Sequence, residues 1–408
     1  MLPRSQTALL YAARALRGFG DGFAAIILPV YLIEIGLDAF QIGIVATSAL
    51  LGSSVLTLAI GLLAPQFQLR TLLLLCAGLM ALTGIALPSV QHVGLIVAIA
   101  FIGTINPTTG DIGIHIPLEQ AALVGKASDQ TRTRIFARYS LVGALAIAAG
   151  ALAAGLPDLL VSMGMAKITA MQFMFYIYAT LGLVGASFYG LLPHTSVEEQ
   201  QKPAALGPSR RMVYKLAALF SLDSFAGGFT VQSLLALWLF KRFELSLAAA
   251  SNFFFWANVL AAFSYPVAAQ LAKRFGLVNT MVFTHIPSSL CLILAALSSN
   301  LTIVLALLLL RSALSQMDVP TRTSYVMAVV TPAERSAAAS ITAVPRSLAS
   351  AISPAISGAL IASSFINLPL LLCAVLKITY DLTLLASFQH IRPPEERHAA
   401  AANDGVPQ

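Results

Sequence analysis

Apolar runs of about 20 residues recur about twelve times along this chain, and each is long enough to cross about 30 Å of hydrocarbon. Of its 408 residues, 58% are hydrophobic and 10% are charged. The mean hydropathy is +0.84. A soluble protein of this length divides into two or three domains, whereas these runs predict an all-α polytopic membrane protein. Their expected limits, each good to about ±4 residues, are 9–33, 41–63, 72–87, 93–118, 135–156, 173–192, 213–240, 247–272, 278–297, 301–319, 337–361 and 368–388.

The segment between the sixth and seventh runs is charged, contains Pro and lacks periodicity, so it reads as a solvated linker. The predicted organisation is a half over 1–192, a cytoplasmic linker over 193–212, a second half over 213–389 and a cytoplasmic tail over 390–408. The net charge of +7 would suggest nucleic acid in a soluble chain. Here it is topogenic, because Lys and Arg gather in cytoplasmic loops. Arg70, Lys126, Arg132, Arg134, Lys202, Arg210, Arg211, Lys273, Arg274 and Arg335 lie on the linker's side, against Lys167, Lys241 and Arg242 on the other. Both termini are therefore expected in the cytoplasm, with the protein in the cell (inner or plasma) membrane. Cys76, Cys291 and Cys373 lie within apolar runs without metal-ligand spacing and read as core. The first residues lack the short apolar core and small-residue site of a cleaved signal.

The two halves echo one another. Arg17–Phe23 (RGFGDGF) precedes Asp223–Phe229 (DSFAGGF) by 206 positions, and Gly61–Arg70 precedes Ala269–Val278 by 208. The small-residue pattern of Ala146, Gly150, Ala151, Ala154 and Gly155 precedes that of Ala349, Ser353, Pro354, Ser357 and Gly358 by 203. Ordered matches at nearly one offset indicate a duplicated unit.

With this duplication the chain resembles the major facilitator superfamily of secondary transporters over nearly its whole length. The resemblance implies about 12 transmembrane helices in two pseudo-symmetric six-helix halves. The family's loop motif, approximately G-x-L-A-D-R-F-G-R-R, is matched by Gly61, Leu63, Ala64, Phe67 and Arg70. Pro65, Gln66 and Gln68 replace its Asp, Arg and Gly, and the second copy keeps Arg274, Phe275 and Gly276. The pattern ending at Gly358 is similar to an element of drug/proton antiporters but falls in the eleventh run, so no antiporter subclass follows.

An ionisable group near mid-bilayer costs at least about 2.5–3.5 kcal/mol on insertion scales and so faces a cavity or a partner. Asp21, Asp223, Arg311, Arg346 and Lys377 lie deep in their runs and, with Arg17 about a turn from the cytoplasmic boundary, are the candidates for a substrate and proton pathway. Arg311 and Arg346 offer planar forks for a carboxylate or phosphate, and Asp21 and Asp223 can titrate. Structural pairing is the alternative, since Arg17 with Asp21 and Lys377 with Asp381 are spaced i,i+4. Asp111 with His115, and Asp318 with Arg322, lie nearer the cytoplasmic ends. With Arg132 and Arg335 they are the candidates that the resemblance implies for a cytoplasmic gate, which Glu119 and Glu334 can join.

No P-loop, zinc motif or nucleophile elbow occurs, so neither an ATP-driven pump nor an enzyme is expected, and no cofactor or metal. The predicted function is secondary active transport of a small molecule by alternating access, proton-coupled, with an organic anion or zwitterion as substrate. Expected partners are that substrate, protons and the lipid bilayer, with no nucleic acid, and the working unit is a monomer. The competing readings are a proton-antiport exporter of drugs or metabolites, and a sensor or scaffold that keeps the fold without turnover.

Overall fold

A computed structural model describes residues 4–63, 67–108, 113–124, 129–193, 207–331 and 334–389. Among them the regular structure is helical, in α1 (Arg4–Glu34), α2 (Ala39–Leu63), α3 (Leu69–Ala86), α4 (Val93–Ile102), α5 (His115–Val124), α6 (Asp129–Ala153), α7 (Leu156–Ser162) and α8 (Lys167–Gly190). The second half supplies α9 (Arg210–Gly228), α10 (Gln232–Phe243), α11 (Leu247–Phe275), α12 (Leu277–Leu297), α13 (Leu301–Ser315), α14 (Asp318–Val329), α15 (Arg335–Ala362) and α16 (Leu368–Phe388). Nine helical stretches among the described residues are long and apolar enough to cross a membrane. Leu75, Leu82, Leu183, Phe283 and Leu294 project from them exposed, a surface that lipid rather than water solvates. The chain is a multi-pass membrane protein.

Three expected runs are not continuous. The fourth, 93–118, breaks between α4 and α5. The seventh, 213–240, breaks at 229–231, and the tenth, 301–319, breaks at Gln316 and Met317 and then continues to Val329. Proline explains two of these breaks, because its ring clashes with the carbonyl four residues earlier and it donates no N–H. Pro117 is the third residue of α5 and collides with a helix running through Gly113. Pro320 is the third residue of α14 and does the same at Gln316. The fourth run also carries Asn106, whose Oδ1 accepts from the Thr108 backbone N–H (2.9 Å) and hydroxyl (2.8 Å) and so holds a turn. Apolar composition alone hides such interruptions.

The chain folds into two compact units. The first comprises Met1–Gln200, Phe229–Ala262 and Ala351–Pro369. Within it α1 lies against α6 and α8, α2 against α4, and α3 against α8. Leu10, Leu72, Leu73, Cys76 and Tyr139 form a buried core. Small residues let these helices touch backbone to backbone, as membrane helices do in the absence of a hydrophobic driving force. A side chain at Gly150 would run into the Phe19 carbonyl, and one at Gly43 would stand 2.5 Å from the Pro354 carbonyl of α15. Three polar contacts in the same unit join first-half to second-half segments. The Ala355 N–H donates to Thr47 Oγ1 (2.9 Å), Ala248 N–H to Asp158 Oδ2 (2.8 Å) and Ser233 N–H to the Pro107 carbonyl (3.1 Å).

The second unit comprises Gln201–Gly228, Phe263–Ser350 and Leu370–Gln408. Val213, Leu216, Phe220, Met281, Tyr325 and Tyr380 form its core. At its edge Glu334 caps α9 from outside that helix. It accepts from the Gly207 N–H (2.6 Å), Ser209 Oγ (2.8 Å) and Thr331 Oγ1 (2.7 Å). The Thr331 and Ser209 hydroxyls hold its carboxyl down at about 2, well below the ordinary value of 4.5.

Candidate functional site

Each unit buries a group of charges inside its helices. In the first unit the group begins on α1, where Arg14, Arg17 and Asp21 are spaced three and four apart and therefore share one face. The Arg14 guanidinium lies 5.0 Å over the Tyr139 ring and occupies the space that a side chain at Gly143 would need. Arg17 Nη2 donates to Glu119 Oε2 of α5 (3.1 Å) and contacts the Tyr139 hydroxyl of α6 (3.1 Å). The hydroxyls of Tyr139 and of Tyr189 on α8 also donate to Glu119. Glu119 is 0% exposed, so these three donors replace all of its solvation. One turn along α1, Asp21 accepts from the Tyr178 hydroxyl (3.3 Å), which is also 3.2 Å from the Thr104 hydroxyl. Arg14, Arg17 and Asp21 line a cleft together with Ser53, Gly103–Asn106 and Gly113–Ile116, the residues flanking the break between α4 and α5.

The second unit centres on Asp223 of α9. Lys377 of α16 donates to its Oδ1 (2.6 Å) and Arg322 of α14 to its Oδ2 (3.0 Å). Arg322 Nη2 also pairs with Asp318 one turn earlier (2.8 Å), and its guanidinium lies 5.5 Å over the Phe220 ring. His285 of α12 extends the chain of contacts, with Nε2 3.2 Å from Lys377 Nζ and Nδ1 3.0 Å from Asp381 Oδ1. Lysine has only donors to offer, so this pattern fits an imidazole that carries its proton on Nδ1. Arg346 of α15 donates from Nε to Ser224 Oγ (2.8 Å). Asp223, Asp318 and Asp381 against Arg322, Arg346 and Lys377 make this group neutral overall.

A sequence profile described as Major Facilitator Superfamily matches residues 216–407. That match spans the second half of the chain. A crystal structure of a point mutant of the nucleoside transporter NupG superposes with a TM-score of 0.76, covering 94% of this chain and 100% of that one at 15% identity. A D-xylose–proton symporter superposes with a TM-score of 0.72 over 93% of this chain and 96% of that one, at 14% identity. In sequence, an uncharacterized membrane protein of Saccharomyces cerevisiae, YJR124C, is 24% identical over 417 aligned positions, spanning 93% of each chain. The fold is thus the superfamily's transporter fold.

Within it, the candidates read from the sequence are redistributed. The two i,i+4 pairings do not form: Arg17 joins Glu119 rather than Asp21, and Lys377 joins Asp223 rather than Asp381. Arg322, expected apart from the deep residues, meets Asp223 directly, and Asp318 joins the group by pairing with Arg322, because the helical stretch continues past Gln316 to Val329. Glu119, a candidate to join the gate, belongs to the Arg17 group, and Glu334 belongs to the cap of α9. His115 is buried beside the first cleft. Arg311 is half-buried on the α13 face that carries Val304 and Leu308, and it forms no hydrogen bond or ion pair among the described residues. Arg335 is exposed and donates to the Met327 carbonyl (3.2 Å). Asp111 lies outside the described residues. Arg132 is in α6, but its side chain lies outside them too.

Sequence reasoning missed Arg14, His285 and the tyrosines as members of these groups, and it matched Asp381 with Lys377 where the structure matches it with His285. Arg14 and His285 were visible as polar residues inside apolar runs. Tyr139, Tyr178 and Tyr189 carry no such signal, because a tyrosine in a membrane helix is ordinary.

Proposed function

We propose that this protein is a secondary active transporter that carries a small organic anion or zwitterion by alternating access, coupled to protons. The observation that supports this best is the pair of buried charge groups, one per unit, built from groups that insert into a membrane only at a cost of at least about 2.5–3.5 kcal/mol each. A passive scaffold gains nothing from keeping Arg17, Glu119 and Asp21 in one unit and Asp223, Arg322 and Lys377 in the other.

On this reading the pathway uses Arg17, Asp21, Asp223, Arg311, Arg346 and Lys377. Asp318 and Arg322 hold Asp223 in place as well as serving the gate with Asp111, His115, Arg132 and Arg335. Arg311, unpaired within the described residues, is the cation most available to an anionic substrate. The contacts Thr47–Ala355, Asp158–Ala248 and Pro107–Ser233 form the seal that must part when the opposite side opens. The excess of Lys and Arg on the linker's side supports cytoplasmic termini and a cell (inner or plasma) membrane. The halves divide at the linker, and the monomer suffices.

Purified protein in liposomes should take up a labelled organic anion under an imposed pH gradient, and Arg311→Ala should abolish uptake. Unchanged uptake by that variant would remove Arg311 from the pathway. Uptake of cationic dyes with the gradient reversed, and none of anions, would favour a proton-antiport exporter instead.

A further inference from the structure

The second unit buries one titratable side chain that lies outside both the pathway and the gate. His285 of α12 is 2% exposed, and each of its ring nitrogens faces a carboxylate. Nδ1 lies 3.0 Å from Asp381 Oδ1, and Nε2 lies 3.9 Å from Asp223 Oδ1. An acid on either side suits the doubly protonated ring, in which both nitrogens are donors. The structure holds the other state. Lys377 Nζ touches both Nε2 (3.2 Å) and Asp223 Oδ1 (2.6 Å), and an ammonium can meet a ring nitrogen only at its lone pair.

Two features favour a second arrangement. Asp381 is 0% exposed, and its Oδ2 is buried with no hydrogen-bond partner among the described residues. A carboxylate taken wholly out of water with one neutral donor is under-compensated, and a positive charge on the adjoining ring corrects that. Lys377, for its part, has room to leave. Gly227 lies one turn beyond Asp223 on α9, and a Cβ there would meet only Lys377 Nζ among the described residues, at 4.0 Å. The space beside the ammonium is open because Gly227 has no side chain.

Proton and lysine compete for the same place. A proton from bulk water on Nε2 sets an N–H against an N–H at 3.2 Å and two cations side by side, so ring and ammonium must part. Asp223 Oδ1 is then the acceptor in reach, and closing 3.9 Å to about 3 Å makes a charge-assisted hydrogen bond. Arg322 keeps Asp223 Oδ2 (3.0 Å), so the carboxylate has a guanidinium in either state. Among the described residues no other group bonds either ring nitrogen. On α14, Asp318 pairs with Arg322, and Tyr325 is a buried phenol. On α16 stand the thiol of Cys373 and the phenol of Tyr380, whose ring is 6.1 Å from the imidazole. Arg346 of α15 donates to Ser224, Arg311 of α13 is half-buried, and α11 carries Lys273 and Arg274 in its last turn.

We propose that His285 takes up the proton of the transport cycle, and that the protonated ring replaces Lys377 at Asp223 and sends the lysine to the space beside Gly227. Lys377 keeps its three protons, and proton binding becomes the release of a buried cation. That this is the coupling proton rests on the transporter reading; the exchange of partners does not.

The test is 15N NMR of the full chain in nanodiscs, labelled on its six histidines, with His285→Gln identifying the signal. The ring should pass from a bare Nε2 at about pH 8 to two protonated nitrogens at about pH 5. Lys377→Met, which removes the competing ammonium, should move the midpoint up by about 1 pH unit or more. Gly227→Ala fills the space that the ammonium needs without touching the ring, and should move the midpoint down. A ring that keeps Nε2 bare to about pH 5 in folded protein overturns the proposal. So does a midpoint that Lys377→Met fails to raise or that Gly227→Ala leaves unchanged. If Lys377→Met does not fold, Gly227→Ala decides alone, since its methyl sits at ordinary contact distance from its one neighbour. In liposomes that exchange lactate, uridine or xylose, His285→Gln should keep equilibrium exchange and lose accumulation under a pH gradient; retained accumulation overturns the assignment of the coupling proton. If none of these probes exchanges, the transporter reading falls and the partner exchange read by NMR stands.

Discussion

Replacing Glu119 by Gln tests the first charge group most directly. The substitution keeps the volume and exchanges a carboxylate, 0% exposed and held by Arg17, Tyr139 and Tyr189, for a neutral amide. One amide corner becomes a donor facing donors, and Arg17 is left buried without its counter-charge. Removing one partner of a buried pair typically costs about 3–5 kcal/mol, because the remaining ion stays desolvated. Replacing both partners by apolar groups is close to neutral. We therefore expect Glu119→Gln to lose about 3–5 kcal/mol, and Arg17→Met combined with it to recover most of that loss. Reversible unfolding in mixed micelles reads this, with the fully buried Trp238 as fluorophore. A Glu119→Gln variant within about 0.5 kcal/mol of wild type would refute the reasoning. So would strict additivity in the double variant, since contacting partners must couple.

Three further outcomes are expected. Gly43→Ala places a methyl carbon 2.5 Å from the Pro354 carbonyl, short of the usual C···O separation by about 0.8 Å. It should destabilise the Thr47–Ala355 contact by about 1–3 kcal/mol, read as faster alkylation of a cysteine introduced at Thr47. Lys377→Met leaves Asp223 with Arg322 and the more distant His285 and makes the second group net negative; it should abolish anion uptake, and adding Asp223→Asn should restore folding stability without restoring uptake. Glu334 is held down at about 2 in the folded protein against an ordinary 4.5, so its stabilising effect is complete above about pH 4.5 and is lost as pH falls through about 2. Hydrogen exchange across Gly207–Val213 should therefore be faster in Glu334→Gln than in wild type at neutral pH, and the difference should shrink in acid.

The membrane class and the superfamily were legible because hydropathy and the half-chain offset both average over many residues. The pairings were not. Arg17 and Asp21 share a helix face, and spacing alone matches them. The actual partner of Arg17 is Glu119, 102 positions away on a helix whose start is fixed by Pro117. Counting about 20 residues from Leu301 ends the span near Asp318, whereas after the turn at Gln316 and Met317 the helical stretch runs on to Val329 and leaves Asp318 inside it. The tyrosine hydroxyls that hold Glu119 and Asp21 lie beyond any periodicity argument, because the same ring packs equally well with no acid beside it.

The break in the fourth run also separates what this chain can vary from what it cannot. Up to Phe101, α4 is locked to α2, since a side chain at Gly52 would run into the Phe101 carbonyl. From Leu118 onward, α5 is tied to the core through Glu119. Between these anchors Asn106 lines the cleft, while Thr104 beside it bonds Thr83 of α3 and Tyr178 of α8. Substitutions at Asn106 can redraw the cleft's outline, whereas those at Thr104 also reach the Tyr178 hydroxyl from which Asp21 accepts. Lineages that diverge in what they carry should differ at Asn106 first, and at Arg17 or Glu119 last.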